Sequence, residues 1–204
     1  MNQDIPRANI IVRVLFIKYG NSTGTAFTIE KNDKQFLVSA KHIFKEVSEN
    51  DHVEIFADGK WIELEVKPIF CDDEKIDIIA FDFGDKPITN NLEVEIGTQN
   101  AIFGQKAYFL GFPYGMFTDS GDINNKKPFP FIKQSIISSI NKDIIYLDGH
   151  NNRGFSGGPV VITNSKNQTQ IIGVVSGYIN DSVNITENSG IFIAYNVSLI
   201  FDKL

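Results

Sequence analysis

The feature that most constrains this chain is its rhythm. Short runs of Ile, Val, Phe and Tyr recur from end to end, and Gly, Asn, Asp and Pro stand between them. β-branched and aromatic residues suit a pleated, half-buried surface, and the intervening residues suit turns. The pattern predicts strands near 9–17, 24–30, 35–40, 52–57, 60–70 and 76–83. After a polar stretch at 85–91, a second set is predicted near 103–111, 131–140, 143–148, 158–163, 169–178 and 190–195. Only 41–47 and the tail 197–204 read as helical. Six strands, a linker and six more strands predict an all-β chain of two six-stranded antiparallel Greek-key barrels packed together, with a short C-terminal helix. The first barrel is expected over about 1–90 and the second over about 97–204, in a single domain.

Composition removes several function classes. The formal net charge is −6, so no basic footprint for a nucleic acid is expected. One cysteine, Cys71, excludes an intrachain disulfide, and with only three histidines it excludes a cysteine-based zinc site. No metal and no cofactor are expected. No apolar run approaches the ~20 residues of a membrane span. The stretch Ile10–Ile17 is interrupted by Arg13 and reads as a first strand rather than a leader. The expectation is a cytoplasmic chain with no membrane partner.

The chemistry gathers at three places. Gly154-Phe155-Ser156-Gly157-Gly158-Pro159 surrounds a serine with glycines and closes with a proline. Such a backbone bends sharply and exposes the hydroxyl, and the N–H groups of Gly154 and Ser156 can converge where an oxyanion forms. A serine is a weak nucleophile without a base. His42 ends the apolar run Leu37–Ala40 and opens a short helical turn, at what would be a barrel edge. His52 stands among Asn50, Asp51 and Glu54 and reads as solvated, while His150 is only six residues before Ser156. A base needs an orienting carboxylate. Asp77 lies between Ile76 and Ile78, where an unpaired charge is costly, so it wants a partner. Asp72 and Asp73 sit in a charged loop. The order His42, Asp77, Ser156 is that of a serine-protease triad.

These motifs resemble the trypsin/chymotrypsin-like serine proteases, and the bacterial branch in particular. Gly24–Phe27, Leu37–His42, Asp77–Ala80, Gly154–Pro159 and Ile172–Gly177 are similar to the family's signature strands. Ala107–Gly115, Ile136–Ser139 and Gly190–Asn196 resemble the bacterial heat-shock (high-temperature-requirement) proteases, without length for a PDZ module. The resemblance implies a chymotrypsin-like fold and a serine endopeptidase. Ser156 would attack, His42 would move the proton, Asp77 would hold His42, and the N–H groups of Gly154 and Ser156 would bind the oxyanion. It places His150, Ser176, Gly177, Tyr178 and Phe192 around the substrate side chain. Phe192 would make that pocket shallow, favouring a small or medium apolar residue before the cut; His150 offers the competing attraction of an acidic one.

The chain also departs from the digestive enzymes. Phe155 stands where they carry the aspartate that pairs with a newly cut N-terminus, so Met1–Arg7 is expected to have no catalytic task. Control, where there is any, is expected in the Gly/Pro-punctuated stretch 112–130, through a regulatory partner that the sequence does not name. The expected partner is a protein or peptide substrate. The alternative is a catalytically silent protease-fold module that binds peptides.

Overall fold

The computed structural model describes residues 5–90, 92–180 and 188–204. The first four residues of Met1–Arg7, and Asn91 of the 85–91 linker, therefore lie outside the described residues. The chain opens with a helical turn, α1 (Ala8–Ile11), and not with a strand at residue 9. The reason is Arg13, which is wholly buried. Its guanidinium donates to both carboxylate oxygens of Glu30, at 2.5 and 2.7 Å, and to the carbonyls of Asn9, Thr28 and Leu92. A buried cation demands that many acceptors, and only a turn at 8–11 delivers the Asn9 carbonyl.

The first barrel follows: β1 (Val14–Tyr19), β2 (Ser22–Lys31), β3 (Lys34–Ser39), β4 (Asp51–Ala57), β5 (Lys60–Phe70) and β6 (Ile79–Asp82). They close in the order β1-β2-β3-β6-β5-β4, all antiparallel. Leu15, Ile17, Leu37, Val53, Ile79 and Phe81 fill the interior. The β6 strand begins later than its apolar run, because the carbonyl of Asp77 is taken by Lys41 N–H (3.4 Å) rather than by a ladder partner.

The second barrel adds β7 (Glu95–Ile96), β8 (Lys106–Gly111), β9 (Phe131–Ile140), β10 (Ile144–Asp148), β11 (Pro159–Thr163), β12 (Thr169–Asn180) and β13 (Asn188–Asn196). The order β11-β8-β9-β10-β13-β12 closes through β11–β12 pairing, and β7 adds in parallel beside β12. Ala107, Phe109, Ile137, Leu147, Phe155, Val175 and Phe192 form its interior. A third cluster joins the barrels, with Phe16 stacked on Phe112 at 5.0 Å and Val161, Ile171 and Val174 beside them. The chain ends in α2 (Ser198–Phe201). The architecture is the expected pair of six-stranded barrels with a short terminal helix; only the two-residue β7 carried no sequence signal.

Removing Glu30 strands the Arg13 charge in the interior. Glu30→Ala should lower unfolding free energy by about 3–5 kcal/mol, read as a fall in the urea midpoint. A change below about 0.5 kcal/mol would show that this cluster is not a structural clamp.

Candidate active site

His42 lies on a 3₁₀ turn, Lys41–Ile43, where β3 leaves the first barrel. Asp77 reaches that turn twice. Its Oδ1 accepts the His42 backbone N–H at 2.8 Å, and its Oδ2 lies 2.7 Å from the ring Nδ1. The ring is half exposed and the carboxylate mostly buried, at 49% and 17% side-chain exposure. That burial pushes the Asp77 carboxyl up. The hydrogen bond and charge of His42, the Ser176 hydroxyl and the His42 N–H together outweigh it and hold the carboxyl below its ordinary range.

Ser176 comes from the other barrel, and its Oγ donates to Asp77 Oδ2 at 2.5 Å. It can do so because β12 slips by one residue against β13: Val175 pairs with Ala194 and Gly177 with Ile193. Ser176 is the extra residue of this β-bulge, which re-aims its side chain across the seam. The sequence reading placed Ser176 only beside the substrate; its hydroxyl serves the carboxylate. A serine next to a strand glycine is the signal that marked the bulge.

Ser156 sits where the second barrel meets β2. Its Oγ donates to the Ser176 carbonyl at 3.0 Å, and among the described residues it makes no hydrogen bond to His42. Its own carbonyl accepts the Thr25 N–H at 2.9 Å. The Thr25 Oγ1 donates to the Gly154 carbonyl at 2.6 Å, and the Arg153 carbonyl accepts the Tyr114 N–H at 2.8 Å. The Phe155 carbonyl, in the same peptide as the Ser156 N–H, accepts the Gly158 N–H at 2.9 Å, and the Gly154 and Ser156 N–H groups find no acceptor among the described residues. Gly154 has φ +100°, and a Cβ there would collide with the Phe112 carbonyl; Gly157, at φ +83°, lies against the Thr25 carbonyl and the Ser39 hydroxyl. These positions therefore require glycine.

Phe155 is fully buried and packs edge-on against Phe109 at 4.8 Å. Beneath the same loop the Lys133 ammonium donates to the His150 carbonyl and to Asn152 Oδ1 (3.1 Å), with its charge 5.9 Å from the Phe155 ring. Desolvation pulls the Lys133 pKa down. Neither Lys133 nor Tyr114 was singled out from the sequence, since a lysine in a strand and a tyrosine in a loop carry no motif.

The segment 112–130 is organised. It holds a turn at Pro113–Gly115, a Thr118–Phe129 bridge, and an N–H···O bond from Asp58 to Lys126 (3.0 Å) that reaches the first barrel. Beside Ser156 opens a cavity of about 450 Å³, lined by Tyr114, His150, Asn151, Asn152, Arg153, Tyr178 and Asn188. Gly177 and Tyr178 run along its β12 edge, paired with Ile193 and Phe192. Phe192 is fully buried, its ring 4.6 Å from that of Phe109. Among the described residues there is no group of acids, cysteines and histidines suited to a metal, and no helix is long and apolar enough to cross a membrane.

No protein-family model and no curated protein matches the chain. Solved structures do. The serine endoprotease of Yersinia pestis superposes with a TM-score of 0.63 at 17% identity, covering 98% of this chain and 66% of that one. The HtrA-type protease AlgW, solved with a tripeptide, gives 0.61 at 19% identity, covering 96% and 60%. The Rv3671c protease of M. tuberculosis, in an inactive form, gives 0.59 at 17% identity, covering 96% and 86%. The chain thus spans about two thirds or less of the first and second of these. At such identities the likeness is one of fold, and the fold of this chain is that of the trypsin-like serine proteases, with HtrA-type enzymes among its structural neighbours.

Proposed function

We propose that the chain is a serine endopeptidase acting on proteins or peptides through an acyl-enzyme. The observation that carries the reading is the placement of Asp77. One buried carboxylate takes the His42 backbone, the His42 ring and, across the seam, the hydroxyl of Ser176, whose carbonyl holds Ser156. In the proposed reaction Ser156 Oγ attacks the peptide carbonyl carbon while His42 Nε2 takes its proton. Asp77 keeps the other ring nitrogen protonated and stabilises the imidazolium. The carbonyl oxygen, now negative, accepts the Gly154 and Ser156 N–H groups. Collapse expels the amine, which leaves with the proton from His42. Water, deprotonated by the same ring, then cleaves the acyl ester.

Phe192 supports a short side chain before the cut, since it leaves no deep slot. The small or medium apolar preference belongs to this reading only in its size; the open lining is polar. A second reading, a silent peptide-binding module, is favoured by one observation, the bond from Ser156 Oγ to the Ser176 carbonyl. Breaking that bond to turn Oγ toward His42 forfeits about 1 kcal/mol, little beside a catalytic barrier. A fluorophosphonate probe separates the two readings. Labelling of the wild-type protein that vanishes in Ser156→Ala is expected, and a protein that stays unlabelled overturns the peptidase.

His42→Ala and Asp77→Asn should each lower kcat by about 10³-fold or more in a protein that stays folded. Retained turnover in either would remove that residue from the mechanism. Lys133→Met should lower kcat more than it raises KM and slow probe labelling, with Lys133→Arg recovering part of both. An equal loss in a plain measure of stability, with kcat unchanged, would make Lys133 a packing residue only.

The depressed pKa of Asp77 fixes the sign of one further effect. Its stabilising contribution is present above the unfolded carboxylate value of about 3.9 and is lost as pH falls through the lower folded value. The melting-temperature gap between wild type and Asp77→Asn should be level from neutral pH to about 5 and should close below about 4. A gap that widens in acid would contradict the assignment.

A further inference from the structure

We infer that the cavity beside Ser156 receives an acidic side chain, so that the bond cut follows Glu or Asp. This rests on the peptidase reading and names its substrate class. The chain as a whole carries a net charge of −6, yet among the described residues lining the cavity Arg153 is a cation, His150 is an imidazole and none is a carboxylate. Lys133 adds a second cationic group beneath the loop, bonded to the His150 carbonyl and to the Asn152 side chain. None of the three makes an ion pair among the described residues. A concave site lined by one sign of charge focuses its field.

The floor is also incomplete. Asn151 is 3% exposed, and its Oδ1 has no hydrogen-bond partner. Its backbone carbonyl is already taken by Asn188 Nδ2 at 2.9 Å, so the unpaired acceptor at Asn151 is its side-chain oxygen. An amide offers an acceptor at one end and donors at the other, and a half-turn of the group exchanges them. The orphaned amide therefore suits a carboxylate or a carboxamide, and rejects a purely aliphatic side chain, which would leave it unpaired. Arg153 decides between the first two, because its guanidinium gives a carboxylate a charge-assisted bond that a carboxamide does not receive. Phe192 limits the length of the side chain that fits.

The test uses the full chain and two readouts. In the first, Ser156→Ala protein, which keeps the cavity, is titrated with fluorescein-labelled peptides that differ only in a C-terminal Glu, Asp, Gln, Leu or Lys. Glu or Asp should bind about tenfold more tightly than Gln, which is about 1.4 kcal/mol, and Lys worst of all. The advantage over Gln should shrink as salt rises. In the second, wild-type protein is given internally quenched peptides with the same residues before a single scissile bond, and the Glu-to-Gln ratio of kcat/KM is taken. Arg153→Gln and His150→Gln should each reduce that ratio. Because it is formed within one variant, any disturbance of the oxyanion loop cancels. Equal binding and turnover of Glu, Gln and Leu peptides by a protein that the fluorophosphonate labels overturns the acidic preference and leaves the peptidase standing. Selective binding of Glu by a protein that is never labelled overturns the peptidase and leaves an acid-recognising pocket.

Discussion

Everything at the active site depends on one seam, where β2 of the first barrel lies against the Ser156 loop of the second. Thr25 spends its whole polar complement there. Its N–H goes to the Ser156 carbonyl, its hydroxyl to the Gly154 carbonyl, and its carbonyl accepts the Ser39 hydroxyl. Gly157 permits the approach, since any side chain would strike Thr25 and Ser39. His42 and Asp77 belong to one barrel and Ser156 to the other, so their separation is set by this contact. Two barrels pressed together by apolar surface alone can slide, because the hydrophobic effect has no direction. Buried hydrogen bonds between main chains do not allow that.

The same economy explains how the loop Gly154–Pro159 is held. Phe155 is buried within it, and packing against Phe109 fixes the loop's depth. Orientation comes from elsewhere: Tyr114 N–H takes the Arg153 carbonyl and Gly158 N–H the Phe155 carbonyl, so in each trans peptide the N–H of Gly154 or Ser156 faces the other way. Lys133 contributes a charge with no counter-ion among the described residues, bound only to neutral oxygens. A desolvated ammonium is costly and is held here by two acceptors and two aromatic faces. The segment 112–130 supplies Tyr114 from a structure that also touches the first barrel at Asp58. It acts in the resting molecule as a brace across both barrels.

Strand placement was legible because each barrel strand pairs an apolar face with turn residues at its ends, and the twelve expected strands fall within a few residues of those observed. The discrepancies have local causes. Residues 9–13 are apolar enough for a strand, but the burial of Arg13 recruits a helical turn. The apolar run from Ile76 begins before its strand because Asp77 is occupied with the His42 turn. The residues of the candidate site could be read one by one, since an unpaired carboxylate between isoleucines and a serine among glycines both violate ordinary preferences. The bulge at Ser176, the reach of Lys133 and the turn of Tyr114 could not, for these depend on register and on neighbours distant in sequence. Chemistry that breaks local rules shows in a sequence; support supplied by ordinary residues at long range does not.

That division has a consequence for how stability and chemistry are coupled. Asp77 is destabilised by its own burial and recovers only through donors from both barrels, so the carboxylate that holds the His42 turn is also a clasp between the halves. Thr25 and Ser176 share this double duty. Changes at the seam therefore alter folding and reaction geometry together, and their effects on rate cannot be read without a parallel stability measurement. The Arg13–Glu30 cluster stands apart. Its acceptors belong to α1, to β2 and to the segment before β7, and none touches His42, Asp77 or Ser156. Two sites of buried charge thus serve separate ends: one closes the start of the chain onto the first barrel, and the other ties the His42 turn to Ser176 of the second barrel.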